Sequence, residues 1–207
     1  MNTLRSNWQG LTANAAPSTA ANAWQELEAC YSEPVRGYHN TSHLEELFGW
    51  AERLDSHLES RASVHWAIFY HDIIYVPGNA DTEERSAALA EQRLPELGVG
   101  AEATRHVAAW IRASKSHVLE APFDTNDARL FLDMDLAVLG SDAQRYERYT
   151  AQIRQEFKRF PDLLYKPGRR KVLKHFLAKD RIYATDHMHQ LLDAAARRNL
   201  SNELASL

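Results

Sequence analysis

Residues 61–78 read RASVHWAIFYHDIIYVPG, and the fold turns on how this run is taken. It is apolar on nearly every side, so periodicity alone leaves a buried helix and a buried strand both open. The flanking segments decide between them. Residues 40–58 place Leu44, Leu47, Ala51 and Leu54 on one face at a 3.6-residue period, the mark of an amphipathic helix. Helical patterning returns over 82–94, 101–112, 124–137, 142–159, 169–179 and 187–196, and 19–31 reads as a helix that Ser18 or Thr19 can cap. No segment alternates as a strand does, and no internal repeat is visible. The expected fold is therefore all-α: a single helical domain over 19–207 with 61–75 as its buried central helix, after a loose lead-in at 1–18.

The bulk composition narrows the functional classes. A chain of 207 residues is long enough for one sizeable core. Lys and Arg total 24 against 28 Asp and Glu, a net charge of −4, which argues against a general nucleic-acid binder. The one cysteine, Cys30, forms no internal disulfide and fits a reducing compartment. No signal-peptide pattern and no membrane-length apolar run is present, so a cytoplasmic location without membrane or nucleic-acid partners is expected. A homodimer is compatible with the sequence, but no feature specifies one.

His71 and Asp72 sit inside the apolar run, where a carboxylate is costly unless paired or bound to a cation. A histidine or arginine partner would satisfy Asp72, and so would a divalent metal that takes both side chains. Adjacent residues on a helix diverge by about 100°, so both reach one ion only at a bend or helix end, and Pro77-Gly78 places an end nearby. Upstream, YHNTSH (38–43) carries His39 and His43 four apart, on one face if both are helical. Downstream, RLFLDMDLAVLG (129–140) carries Asp133 and Asp135, which a helix would point to nearly opposite sides. At most one of the two can join the histidines.

Other polar residues have plainer readings beside functional ones. Glu83 and Glu84 suit the first turn of a helix. Arg36 precedes YHN on what reads as a loop beside the metal, and Arg169 opens a helix whose N-terminal amides favour an anion. Lys166, Arg169, Arg170, Lys171 and Lys174 form the chain's one dense basic stretch, as suited to a solvated face as to phosphate. His57, His65, His106, His175, His187 and His189 read as ordinary surface or packed residues.

The order H…HD…D on a helical chain resembles the HD-domain superfamily of metal-dependent phosphohydrolases. YHNTSHLEEL is similar to the YHNxxHxxxV segment of the helical cyclic-nucleotide phosphodiesterases, a distant branch of that fold. The nearest likeness is to a small bacterial group of HD-type phosphohydrolases, covering about residues 31–177 through RGYHN, HDIIY, EERSA, DMDLAVLG, YERYTAQIRQEF and GRRKVL. The resemblance implies metal ligands at His43, His71, Asp72 and, through the MDL triplet, Asp135, with Asp133 either supporting the ligands or structural; Asp133 at the metal in place of Asp135 is the competing register. It implies His39 as general acid, Asp72 as the bridge should two ions bind, and Glu83 as a residue orienting water. His117 lies where some members keep an extra histidine, and it joins Arg36 and Arg169 as a substrate-binding expectation. This chain has IIYVPGN where the cyclic-nucleotide enzymes have xxHPG, so their deep pocket is not implied.

Taken together, these readings anticipate a metal-dependent phosphohydrolase acting on a small phosphorylated molecule, a nucleotide foremost. Its cofactor would be one or two divalent ions among Mn, Mg, Zn, Ni, Co and Fe. The alternatives are a non-hydrolytic nucleotide sensor that keeps the metal pocket and, ranked lower, a di-iron oxygenase.

Overall fold

A computed structural model describes residues 3–207. Among them the regular structure is entirely helical, ten α-helices with two short 3₁₀ turns and no strand. The all-α expectation therefore holds. The chain divides into two compact units, with the boundary after Leu132, where the sequence reads as one domain.

In the first unit, α4 (Arg61–Tyr70) is the central element. Every residue from Ser63 to Tyr70 is buried, and α3 (Thr41–Arg53), α5 (Thr82–Glu96) and α6 (Ala101–Ala113) pack around it. All-round burial explains why the segment lacks an amphipathic period, and each large apolar side chain contributes about 1.5–3 kcal/mol when fully buried. The chain leading into it is held from outside: Asp127, in α7 (Asn126–Asp135), accepts from the backbone N–H of Glu59 and of the N-cap Ser60 at 2.8 and 2.7 Å. Sequence patterning extends this helix to about residue 75, but the α-helix stops at Tyr70 and His71 is its C-cap.

The amino-terminal residues depart from expectation. Thr3–Leu11 form α1, not a loose lead-in. Leu4 and Trp8, four apart, are buried on one face, and Trp8 packs edge-on against Trp66 and Phe69 with ring centroids 5.5 and 5.3 Å apart. Trp24 of α2 (Pro17–Tyr31) completes this aromatic cluster, 5.7 Å from Trp8. The helix is stabilised by these contacts more than by its own propensity, which Gly10 weakens.

In the second unit, α10 (Asp186–Ser206) packs on the 3₁₀ turn Ala137–Gly140 and on α9 (Asp162–Leu177), and α8 (Ala143–Glu156) packs on the same turn. Two helices are longer than their sequence patterns. The last runs to Ser206, held by buried Leu200 and by Glu203 bonded to Arg169. α9 begins at Asp162, seven residues before Arg169, and accommodates Pro167 within its second turn. Arg169 is consequently mid-helix and buried, not at a helix start beside free amides.

Candidate metal centre

The end of α4 is held by groups distant in sequence. The phenol of Tyr31 donates to the Phe69 carbonyl at 3.1 Å. Burial, and then the nearby Asp72 carboxylate, push that phenol well above its ordinary pKa, so it stays a donor. Arg36 is buried and donates to the carbonyls of Asp72 and Ile73 at 2.6 and 2.9 Å. The same guanidinium donates to the His39 carbonyl at 3.0 Å and pairs with Glu33 at 3.1 Å. It thus ties the loop before α3 to the backbone around Asp72. On the far side, the Ser86 hydroxyl of α5 binds both the N–H and the carbonyl of Ile74, at 3.1 and 3.2 Å.

The loop carrying His39 and His43 is built by Asn40. This residue is the N-cap of α3: its side-chain oxygen accepts from Ser42 N–H at 2.9 Å, and its amide donates to the Gly37 carbonyl at 3.0 Å. Asn40 is therefore the helix boundary. His43 is in the first turn and buried, while His39 precedes the cap in a bend closed by the Asn40 N–H, which donates to the Tyr38 carbonyl at 2.8 Å. The two histidines meet because the loop folds back, with ring centroids 5.9 Å apart, and not because they share a helical face.

His43, His71 and Asp72 converge. His43 Nε2 is 3.2 Å from His71 Nε2, His71 Nε2 is 3.1 Å from Asp72 Oδ2, and His43 Nε2 is 4.0 Å from the same oxygen. The point equidistant from atoms with these three separations lies about 2.0 Å from each, the length of a bond from a divalent transition ion to imidazole or carboxylate. Tautomer agrees with distance. His71 Nδ1 lies 2.9 Å from the Ile68 carbonyl, which can only accept, so Nδ1 carries the proton and Nε2 keeps its lone pair. Both imidazoles are buried and Asp72 is partly exposed, which leaves the centre closed on one side and open on the other. Two nitrogens and an oxygen suit borderline ions such as Fe, Co, Ni or Zn better than the harder Mn and Mg.

His39 sits at the rim. Its Nε2 is 3.9 Å from Asp72 Oδ2, and its ring stacks on Tyr75 with centroids 4.3 Å apart and planes 30° apart. Of the other expected residues, Glu83 lies in the first turn of α5, half-buried, while its neighbour Glu84 is held by Arg112 at 2.9 Å. His117 follows α6 with a positive φ of 54° and is half-buried. Arg36 spends its donors on protein carbonyls and Glu33. Arg169 spends its own on Glu203, at 2.7 and 3.0 Å, and on the Tyr149 hydroxyl at 3.4 Å. Asp133, in the second unit, accepts from Ala184 N–H, Thr185 N–H and the Thr185 hydroxyl at 2.6, 2.8 and 2.6 Å; its oxygens fasten the turn before α10. Asp135, the last residue of α7, belongs to the same unit and is half-buried. Tyr31, Tyr75 and Ser86 escaped sequence reasoning, although the short spacing of Tyr75 from the HD pair was a usable signal.

Comparison with family models, with curated proteins and with solved structures returns no match for this chain.

Proposed function

We propose that this chain is a metal-dependent phosphohydrolase of the HD type, acting on a small phosphorylated substrate of the nucleotide class. The observation that carries the reading is the buried His43–His71–Asp72 cluster, whose donor atoms lie at metal-binding separations. These three residues would hold a divalent ion, which would supply neutralisation of phosphate charge and acidification of water at the site. His43 and His71 place their Nε2 atoms on a buried wall, where charge interactions are least screened. Asp72 adds the carboxylate of the cluster and, should two ions bind, would be the residue shared between them.

His39 is the proton donor in this reading. It stands beside the cluster without being one of its three members, it is partly exposed, and Tyr75 fixes its ring. Imidazole titrates near neutrality, as protonating a leaving alkoxide requires. Glu83 and His117 enter as residues that orient water or substrate, and Asp135 enters as a further ligand on the motif alone. Arg36 supports the site by holding the carbonyls of Asp72 and of Ile73 after it.

The test is a hydrolysis screen of nucleotides and simple phosphoesters with Mn, Co, Ni, Zn and Mg, using His71→Ala and Asp72→Ala as controls. Turnover that needs added metal and is lost in both controls supports the reading. His39→Gln should retain bound metal while kcat falls by about 10²–10⁴. Tight nucleotide binding with no turnover under any metal would replace hydrolysis with a sensor role.

A further inference from the structure

The outward face of α9 carries a concentration of charge that the proposed activity does not use. Residues 158–181 hold nine of the chain's 24 lysines and arginines but two of its 28 acidic residues, in a protein of net charge −4. Several of these charges are satisfied locally. Arg169 points inward onto Glu203, Arg181 pairs with Asp186 at 2.8 Å, and Asp162 is held by Arg154 at 2.8 Å. Lys158, Lys166, Arg170, Lys171 and Lys174 have no carboxylate partner among the described residues, and Lys158, Lys171 and Lys174 are exposed. At 100° per residue, Arg170 lies at the flank and Lys166 on the buried side, both half-buried, while Lys171 and Lys174 lie opposite the buried Arg169 and Leu173.

Two leucines share that face. Leu163 and Leu164, in the first turn of α9, are 84% and 63% exposed, the two most exposed large apolar residues of the described chain. Lys158 and Arg159 precede them, and Lys166 follows. A polyanion such as a nucleic acid would use the cations but has no place for an exposed Leu-Leu pair. An anionic lipid surface uses both: headgroups draw the cations while the apolar pair enters the acyl boundary. No helix among the described residues is long and apolar enough to cross a membrane, and surface docking requires none.

We infer that the outer face of α9 docks this protein on anionic lipid bilayers, with Leu163 and Leu164 inserted, Lys171 and Lys174 over the headgroups and Arg170 at the edge of the contact. The full-length protein should co-sediment with phosphatidylcholine vesicles containing about one third phosphatidylglycerol, and not with pure phosphatidylcholine. Leu163→Ser/Leu164→Ser and Lys171→Glu/Lys174→Glu should each weaken that binding by on the order of tenfold or more. Both pairs are exposed, so an unchanged melting temperature certifies the fold. Failure to bind anionic vesicles overturns the inference. So does undiminished vesicle binding by the leucine variant, which would mark a purely electrostatic surface, and so does tighter binding to a short DNA or RNA duplex than to the vesicles. A dimer in sedimentation that the leucine variant dissolves would also overturn it, because those leucines would then cover a second copy of the chain.

Discussion

The Nδ1 of His71 lies 2.9 Å from the carbonyl of Ile68, three residues earlier on the same helix. That contact turns the opposite nitrogen of His71 toward His43 and Asp72. A carbonyl near the end of one helix thereby sets the tautomer of a candidate ligand. The same ending lets the adjacent Asp72 swing to the same point, which a continuous helix would prevent.

Metal binding is the first consequence. Protein purified without added metal and then dialysed against Co, Ni, Mn or Zn should retain at least one ion per chain by elemental analysis, and its melting temperature should rise with loading. His43→Ala, His71→Ala and Asp72→Ala should each abolish stoichiometric retention. Equal retention by the three variants would show that the ion sits elsewhere.

Arg36 should act on the site through the backbone. Arg36→Met removes three hydrogen bonds to carbonyls and an ion pair, at a cost of about 3 kcal/mol in stability by urea unfolding. Metal affinity should fall by about 10–100-fold, as when a group supporting a ligand is lost. Calorimetric titration of the folded variant reads the second effect; an unchanged affinity would reduce Arg36 to a general stabiliser.

Gly140 has no room for a side chain. A Cβ there would lie 2.6 Å from Leu192 Cβ and 2.9 Å from its carbonyl oxygen, both belonging to the packed helix α10. Gly140→Ala should lower the unfolding free energy by about 3 kcal/mol. A loss below about 0.5 kcal/mol would mean that α10 shifts freely on the 137–140 turn.

Asp133→Ala should destabilise comparably, because it strands two backbone N–H groups and a hydroxyl that now share one carboxylate. A cost of about 2–4 kcal/mol is expected in chemical denaturation. Asp133→Asn should recover only part of it, since an amide offers one acceptor oxygen where the carboxylate offers two.

His65 should contribute to the acid limb of stability. Burial first, and then Arg61, lower its pKa from 6.5 to about 4, against a smaller opposing pull from Asp55. Between those values the unfolded chain binds a proton that the native state refuses. Stability is therefore full above pH 6.5 and declines as pH falls toward 4, by up to about 1 kcal/mol per pH unit. His65→Phe, placed where the ring already packs edge-on against Phe48 at 4.9 Å, should flatten that decline. An unaltered pH profile in the variant would remove His65 from the account.

What the sequence determined by itself is the part of the structure that rests on local pattern. Apolar residues at helical spacing specify α3, α5, α6 and α8 within a few residues, and the burial of α4 shows in its all-round apolar composition. An aspartate next to a histidine in such a run already demands a partner, so the chemical demand at His71 and Asp72 is legible before any coordinates. Tertiary structure decided which partners answer it. His43 and His71 meet across 28 residues, Arg36 and the Asp72 carbonyl across 36, Tyr31 and the Phe69 carbonyl across 38, and Arg169 and Glu203 across 34. Spacing along the chain carries no information about such pairings, because hydrogen bonds and ion pairs depend on distances of about 3 Å that only packing sets. The same reason explains α1, whose polar-rich segment becomes helical through Leu4 and Trp8 in the aromatic cluster. It also explains the two arginines: both read as anion binders in sequence, and burial gives each of them protein acceptors instead.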